Sequence, residues 1–489
     1  MRTYCFLSCM AVMALVGCAG AAESSTSEGE SPAEQLGVSQ EALSLGTTTA
    51  STIPSLTTSG PVIQIPCWMR DPASCVPDGT RLLIVGPSQF STDMERLRQH
   101  KNATGMPAWV LSMDDIRKYD GRDDAERLKK VIARLHEQKG TWYVLLAGDA
   151  SVVPVRRRRV LAAGQNESFN PSDLYYANLY HHVGSRAGTF DDWDTNGNGL
   201  FNEEFWEFNS GPYVLNPDDV DGYPDIAVGR VPAHDTQGFG RYVDKIIRYE
   251  TGQTVTSPLT RAAFVADKNY PGATSLLGQL ESRTFLANAS VGHYEGNTFG
   301  PGLDPGWATA DFSLLDGLTY TMPWIAYVGH GYSTGWGLYD IFTNNALYDA
   351  GHVRTLRNTN LPVVFAAACE TGKFAENIMH EPPTGIAPGV YDAGGDLSMG
   401  GAWLFGSESL GGAIAYFGET VVLPNNWAVD LETAMLNAYG SGYRVLGDLW
   451  ASGARSYWSA HQRDKDVFSN PRIYLGIMEM MGDPSLRLF

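Results

Sequence analysis

Short, wholly apolar runs recur along this chain with helix-length stretches between them, and that rhythm restricts the fold more than any other feature. Arg81-Leu-Leu-Ile-Val-Gly86, Ala108-Trp-Val-Leu-Ser112 and Trp142-Tyr-Val-Leu-Leu-Ala147 each read as a strand buried on both faces. The stretches 93–102 and 123–138 between them read as amphipathic helices. A second set follows: strands at 262–266, 324–328, 362–368 and 412–417, with helices predicted at 235–250, 275–287 and 344–356. Strands that alternate with helical spacers predict a parallel sheet covered on both faces, hence an α/β class.

At 489 residues the chain exceeds one ordinary core, and the two sets suggest a unit over 61–235 and another over 236–489. The net charge of −19 excludes a nucleic-acid partner, because no basic stripe is present to meet phosphates. The only basic run, Arg156 to Arg159, reads as a solvated edge strand or a processing-sensitive loop.

The N-terminus bears on location. Arg2 precedes an apolar run from Cys9 to Val16 that is too short to span a membrane. It ends in Leu15-Val16-Gly17-Cys18, which is similar to a bacterial lipobox and implies cleavage before Cys18 and a lipid on its thiol. Residues 1–17 are therefore expected to be a signal peptide, and the Ser/Thr/Glu-rich 18–60 a flexible tether. The mature chain is expected to be exported, as an outer-membrane or cell-surface lipoprotein or otherwise secreted, touching a membrane only through that anchor. In an oxidising compartment Cys67 and Cys75 are expected to pair, which leaves Cys369 alone.

Two predicted strands end in reactive residues: Trp324-Ile-Ala-Tyr-Val-Gly-His330-Gly331 and Pro362-Val-Val-Phe-Ala-Ala-Ala-Cys369. The interval fits one strand, a crossover and a parallel neighbour, which puts His330 and Cys369 at adjacent carboxyl ends, where open sheets form clefts. A thiolate is intrinsically nucleophilic, and a nearby histidine can take its proton. The N–H groups of Gly331 and Cys369 would then face the oxyanion of an attacked carbonyl. Either residue alone reads better as structural, Cys369 as a small buried hydrophobe and His330 as a loop histidine.

Seven further segments occur in a telling order: Leu145-Leu-Ala-Gly-Asp149, Ser172-Asp-Leu-Tyr-Tyr176, Tyr223-Pro-Asp-Ile-Ala-Val-Gly-Arg230, Tyr327-Val-Gly-His-Gly331, Ala368-Cys-Glu-Thr-Gly-Lys-Phe374, Gly412-Ala-Ile-Ala-Tyr416 and Gly482-Asp-Pro-Ser485. The set resembles the gingipains, cysteine peptidases of the caspase and legumain clan. The resemblance implies a caspase-like fold of two adjoining subdomains, each with a mainly parallel sheet flanked by helices. It also implies cysteine endopeptidase activity on a protein or peptide, with Cys369 as nucleophile and His330 as acid/base. Asp225 falls where the family places a carboxylate that orients the histidine, although Arg-specific members carry Glu there. Asp235 lies close to where an acid lines the specificity pocket, implying cleavage after Arg or Lys, but it also reads as a helix cap. The loop from Glu419 to Trp427 is implied to border that pocket.

No cofactor is needed for this chemistry, but a structural calcium ion is expected. Asp192, Asp194, Asn196, Asn198, the Leu200 carbonyl and Glu203 or Glu204 offer oxygen donors at nearly alternate positions, with glycines for the turn. No acidic residue stands twelfth from Asp194, so the register is open. Three other readings of the function remain: a serine hydrolase using Ser333 of Gly331-Tyr-Ser-Thr-Gly335, a catalytically silent binding module, and a transpeptidase.

Overall fold

The computed structural model describes residues 72–162, 168–206, 214–254, 258–296, 303–337, 348–375, 378–379, 398–422, 427–464 and 470–489. Within them the apolar runs become the strands of one sheet. In chain order these are β1 (Leu82–Gly86), β2 (Ala108–Ser112), β3 (Tyr143–Ala147), β4 (Ala227–Val231), β5 (Arg261–Asp267) and β6 (Ser290–Gly296). They continue as β7 (Ala308–Thr309), β8 (Trp324–Val328), β9 (Val363–Ala367), β10 (Ala415–Glu419) and β11 (Met478–Met481). Every residue of β1, β3, β4, β8, β9, β10 and β11 is buried, which is why β1, β3, β8 and β9 are continuously apolar rather than alternating, while β4, β10 and β11 each bury one ionisable residue, Arg230, Glu419 and Glu479.

The spatial order is β7-β6-β5-β8-β9-β10-β11-β4-β3-β1-β2. Neighbours are parallel except β10 and β11, which are antiparallel. The sheet therefore holds two parallel groups of opposite direction. This corrects the expectation of a separate sheet in each of two subdomains: the sheet is continuous, because β11 pairs with β10 on one side and with β4 on the other. Backbones come very close at that joint, where a Cβ on Gly229 would stand 2.4 Å from the Gly482 carbonyl oxygen. A consequence follows for the site. The carboxyl ends of β5, β8, β9 and β10 share one edge with the amino ends of β11 and β4, while the carboxyl end of β4 lies at the opposite edge.

Helices cover the sheet: α1 (Ser91–Ala103), α2 (Asp124–Lys139), α3 (Thr236–Glu250), α4 (Ala273–Ser282), α5 (Phe312–Thr321), α6 (Ala428–Gly440) and α7 (Leu446–His461). Helix α2 starts where the Asp123 carboxylate accepts the Glu126 N–H at 2.8 Å and stops at Gly140, whose φ of +76° suits glycine. Of the crossover helix expected at 344–356, residues 344–347 lie outside the described residues, and the rest shows a short turn of helix, Ala350–Val353.

The acid-rich region between β3 and β4 carries strands of its own. Arg156–Ala162 pairs with Ser168–Ser172 and with Glu204–Trp206 in a second, five-stranded sheet that also takes in Val214–Leu215 and Ile378–Met379. The basic run is thus no solvated edge. Arg156, Arg157 and Arg158 are buried, Arg156 pairs with Asp123 at 2.8 Å, and Arg159 pairs with Glu203 at 2.9 Å.

Candidate active site

Strands β8 and β9 are parallel neighbours with Val328 opposite Ala367, so Gly329-His330 and Ala368-Cys369 leave the sheet side by side. His330 opens a hairpin in which His330–Tyr332 pairs with Gly335–Gly337. Tyr327 braces that hairpin: its hydroxyl donates to the His330 carbonyl at 2.8 Å, and its ring stacks on Trp336 at 4.4 Å between centroids. Gly331 lies directly against the Cys369 turn, since a Cβ there would stand 2.7 Å from the Cys369 carbonyl oxygen. Cys369 is buried, and the next residue, Glu370, takes φ +58°, a left-handed conformation uncommon outside glycine. That kink turns the chain back so that the Gly372 N–H donates to the Glu419 carbonyl at 2.9 Å.

The carboxylate beside His330 is Asp267, at the carboxyl end of β5. Its Oδ2 accepts the His330 N–H at 3.0 Å and its Oδ1 accepts the Asn269 N–H at 2.8 Å. Burial pushes this carboxyl up to about 7, against the pull of those two amides. Burial also pushes the His330 imidazole below its usual value, partly offset by a hydrogen bond to the backbone of Asn269. The ring stands edge-on to Tyr270 at 5.3 Å.

Asp225 does not take the role expected for it. It precedes β4, four interstrand steps from β8, or about 19 Å at roughly 4.8 Å per step. Its oxygens are engaged there: Oδ1 meets His182 Nε2 at 2.7 Å, and Oδ2 accepts the N–H groups of Leu179 and Tyr180. Asp235 is displaced further. It follows the carboxyl end of β4, at the edge opposite Cys369, where its exposed side chain caps α3 by accepting the Gly238 N–H at 2.7 Å. The helix-cap reading of Asp235 is the one observed.

Glu419 ends β10, beside the Cys369 turn. It is fully buried, its Oε1 accepts from the Tyr474 hydroxyl at 3.3 Å, and its Oε2 has no hydrogen-bond partner. Burial pushes this carboxyl up to about 8. Trp427, half-buried, packs edge-on to His461 at 5.6 Å. Ser333 occupies the two-residue turn of the His330 hairpin, with no helix behind it, so the strand-turn-helix elbow that a serine nucleophile requires is not formed.

In the acidic loop, Arg122 bridges Asp192 and Asp194, Arg159 holds Glu203, and Arg158 lies 3.5 Å from Glu204. The side-chain amides of Asn196 and Asn198 donate to Glu203, and the Leu200 N–H donates to Asn198. Among the described residues, no three His, Cys, Asp or Glu side chains are grouped so as to hold a metal ion. Cys75 ends a short helix, Pro72–Cys75. Cys67, Cys18, the signal peptide and the tether lie outside the described residues. Among the described residues, no helix is long and apolar enough to cross a membrane.

The family model for peptidase family C25 matches residues 76–489. The chain belongs to that family. Two solved structures share its fold. The Arg-specific cysteine proteinase gingipain R aligns with a TM-score of 0.56 at 16% identity, over 84% of this chain and 79% of that one. The complex of Porphyromonas gingivalis RgpB pro- and mature domains aligns at 0.55 and 16%, over 83% and 79%. No curated protein matched the sequence. Family C25 membership establishes a cysteine-peptidase scaffold, with a large, mostly parallel sheet flanked by helices and a protein or peptide as the class of substrate.

Proposed function

We propose that the chain is a cysteine endopeptidase in which Cys369 attacks the scissile carbonyl and His330 moves the proton. The observation that carries this reading is the placement of both residues beyond the ends of adjacent parallel strands, with Gly331 packed on the Cys369 backbone. An imidazole held below its usual pKa is neutral near pH 7 and suited to accept the thiol proton. The thiolate adds to the carbonyl carbon, and the negative oxygen is met by the N–H groups of Gly331 and Cys369. In a hairpin closed by a two-residue turn, Tyr332 and Gly335 take the ladder hydrogen bonds, and the next pair, Gly331 with Trp336, does not. Its N–H thus stands outside the ladder. His330 then returns the proton to the leaving amine, the C–N bond breaks, and water cleaves the thioester. Asp267 acts as a positioning residue, through the backbone of His330 and of Asn269.

Cleavage after Arg or Lys is better supported by Glu419, whose backbone adjoins the Cys369 turn, than by Asp235. A guanidinium or ammonium brought next to Glu419 would favour its ionised form. Export and lipid attachment at Cys18 rest on the lipobox-like segment alone, and metabolic labelling with a radioactive fatty acid tests them: label retained in Cys18→Ser defeats the anchor.

The decisive assay is purified protein on a mixed peptide library with amine acceptors present, alongside Cys369→Ala and Glu419→Gln. Cleavage is expected to vanish in the first variant, and the basic preference to be lost in the second. Cleavage unchanged in Cys369→Ala defeats the mechanism. An unchanged preference in Glu419→Gln defeats only the pocket assignment, and products joined to the acceptor amine identify transpeptidation.

A further inference from the structure

Lys245, on α3, is buried, and among the described residues no carboxylate pairs with it. Its Nζ donates instead to four backbone carbonyls: Leu404 at 2.5 Å, Gly411 at 2.7 Å, Ala413 at 3.0 Å and Trp403 at 3.1 Å. One turn earlier on the same face of α3, Arg241 donates to the Phe405 carbonyl at 2.8 Å. A charge taken out of water without a counter-charge is costly unless hydrogen bonds meet it fully. The question is what this ammonium holds.

It holds the end of a short helix. Met399–Gly401 is α-helical and runs on as a π-helical turn, Ala402–Gly406. The last carbonyls of a helix have no partner within it, and cations are favourable there. Lys245 and Arg241 meet three of them in succession, at residues 403, 404 and 405. The carbonyls of Gly411 and Ala413 belong to the chain returning toward β10, so the same ammonium ties that return to the helix.

The other end of that helix reaches both elements of the candidate site. The Met399 N–H donates to the Ser333 carbonyl at 2.7 Å, in the turn of the His330 hairpin. The Gly400 N–H donates to the Thr371 carbonyl at 3.0 Å, two residues beyond Cys369. These are first-turn amides, which a helix leaves free to bond outside itself. Between the two ends, the Trp403 ring packs on Trp336 and Tyr348 at 5.7 and 5.9 Å between centroids. Gly400 sits so close to the sheet that a Cβ there would stand 2.3 Å from the Met481 Sδ. One short helix thus joins the hairpin that carries the imidazole to the turn that carries the thiol.

We propose that Lys245 is a positioning residue for peptide cleavage: it fixes the end of the helix at residues 399–406, and the start of that helix sets the His330 hairpin against the Cys369 turn. The proposal rests on the peptidase reading above. With the ammonium removed, the carbonyls of Trp403, Leu404, Gly411 and Ala413 lose this donor, and the end of the helix is free to shift. The amides of Met399 and Gly400 then move with it, and with them the hairpin and the turn. A displacement of this kind lowers turnover far more than substrate affinity, because the reacting atoms lose their alignment.

The test is steady-state kinetics of the full chain on a good library substrate. Lys245→Met keeps the reach of the side chain and removes its hydrogens. Its kcat is expected to fall on the order of tenfold, with KM little changed. Lys245→Arg, which keeps donors at the same place, should recover part of that loss. Met399→Pro tests the other end of the helix, because proline suits the first helical position and lacks the N–H. Its kcat should fall below that of Met399→Ala, which keeps the N–H. If Lys245→Met fails to fold, Arg241→Gln takes its place, with the same split between kcat and KM expected. A parental kcat in the folded Lys245→Met or its substitute, a loss confined to KM or to Tm, or equal kcat in Met399→Pro and Met399→Ala overturns the proposal. Cleavage unchanged in Cys369→Ala overturns the peptidase reading, and the proposal falls with it. An inactive Cys369→Ala beside a fully active Lys245→Met overturns the proposal alone.

Discussion

Asp267 holds two backbone amides at once, those of Asn269 and His330, and through them it sets the imidazole beside Cys369. Asp267→Asn offers one acceptor where the carboxylate offered two, so one amide loses its partner. The expected result is a fall in kcat of about a hundredfold, the cost of a small displacement of a reacting group, with KM little changed. Steady-state kinetics on a good library substrate check this, and a fall confined to KM would rule out a positioning role. Gly331→Ala is expected to abolish turnover while leaving the circular dichroism spectrum native, since its new methyl would push the hairpin off the Cys369 carbonyl. His330 and Cys369 were legible because each follows an apolar run. Asp267 follows one too, Ala262-Ala-Phe-Val-Ala266, and the same rule would have found it. Asp225 lies within the segment Tyr223–Arg230, and nothing in that segment reveals that its strand runs in the opposite direction to β8. The burial of Glu419 beside the Cys369 turn depends on the β9–β10 register, which no local pattern reveals.

Strands were the most readable elements. Each unbroken apolar run in the sequence became a strand close to its expected bounds, whereas β11 was not legible, because Glu479 interrupts it. The second sheet was not readable, because its longest strand opens with four arginines that are held by ion pairs such as Arg156–Asp123 and Arg159–Glu203, and three of its other strands are only two or three residues long. The His330 hairpin is likewise short and rich in glycine, and it is held by aromatic packing. Trp336 stacks on Tyr327, approaches Trp403 at 5.7 Å and donates to the Tyr416 hydroxyl at 3.1 Å. Trp336→Ala should therefore cost about 3–5 kcal/mol of stability, as for other buried large-to-small changes. Urea unfolding measures that loss, and the activity remaining in the folded fraction should also fall, because the same hairpin carries the imidazole. Full activity in that fraction would show that Tyr327 alone fixes the hairpin.

Across the whole molecule, several carboxyls are buried away from cations. Burial pushes Asp267 to about 7, and Glu419 and Glu432 to about 8. A carboxyl whose pKa is higher folded than unfolded binds its proton more tightly in the folded state. Its contribution is complete below the unfolded value near 4 and fades as pH rises through the folded value. Thermal stability is therefore expected to fall between about pH 4.5 and 7.5, by about 2–4 °C of Tm for each kcal/mol lost. Asp123 and Glu250 oppose this at the acid end: burial would raise them, but Arg156 and Lys101 respectively hold them low, so their share is lost only below the ordinary carboxylate range. Scanning calorimetry across that range checks the slope, and a Tm that rises steadily to pH 7.5 contradicts it.

The seam formed by β11 also sets an order of events in folding. Strand β4 cannot gain its neighbour, and the two groups of strands cannot meet, until residues 478–481 have been synthesised. Pairings this distant in sequence form slowly. A growing chain would therefore hold two half-sheets with open edges, each in need of protection, and the joined sheet would appear only once β11 had been made.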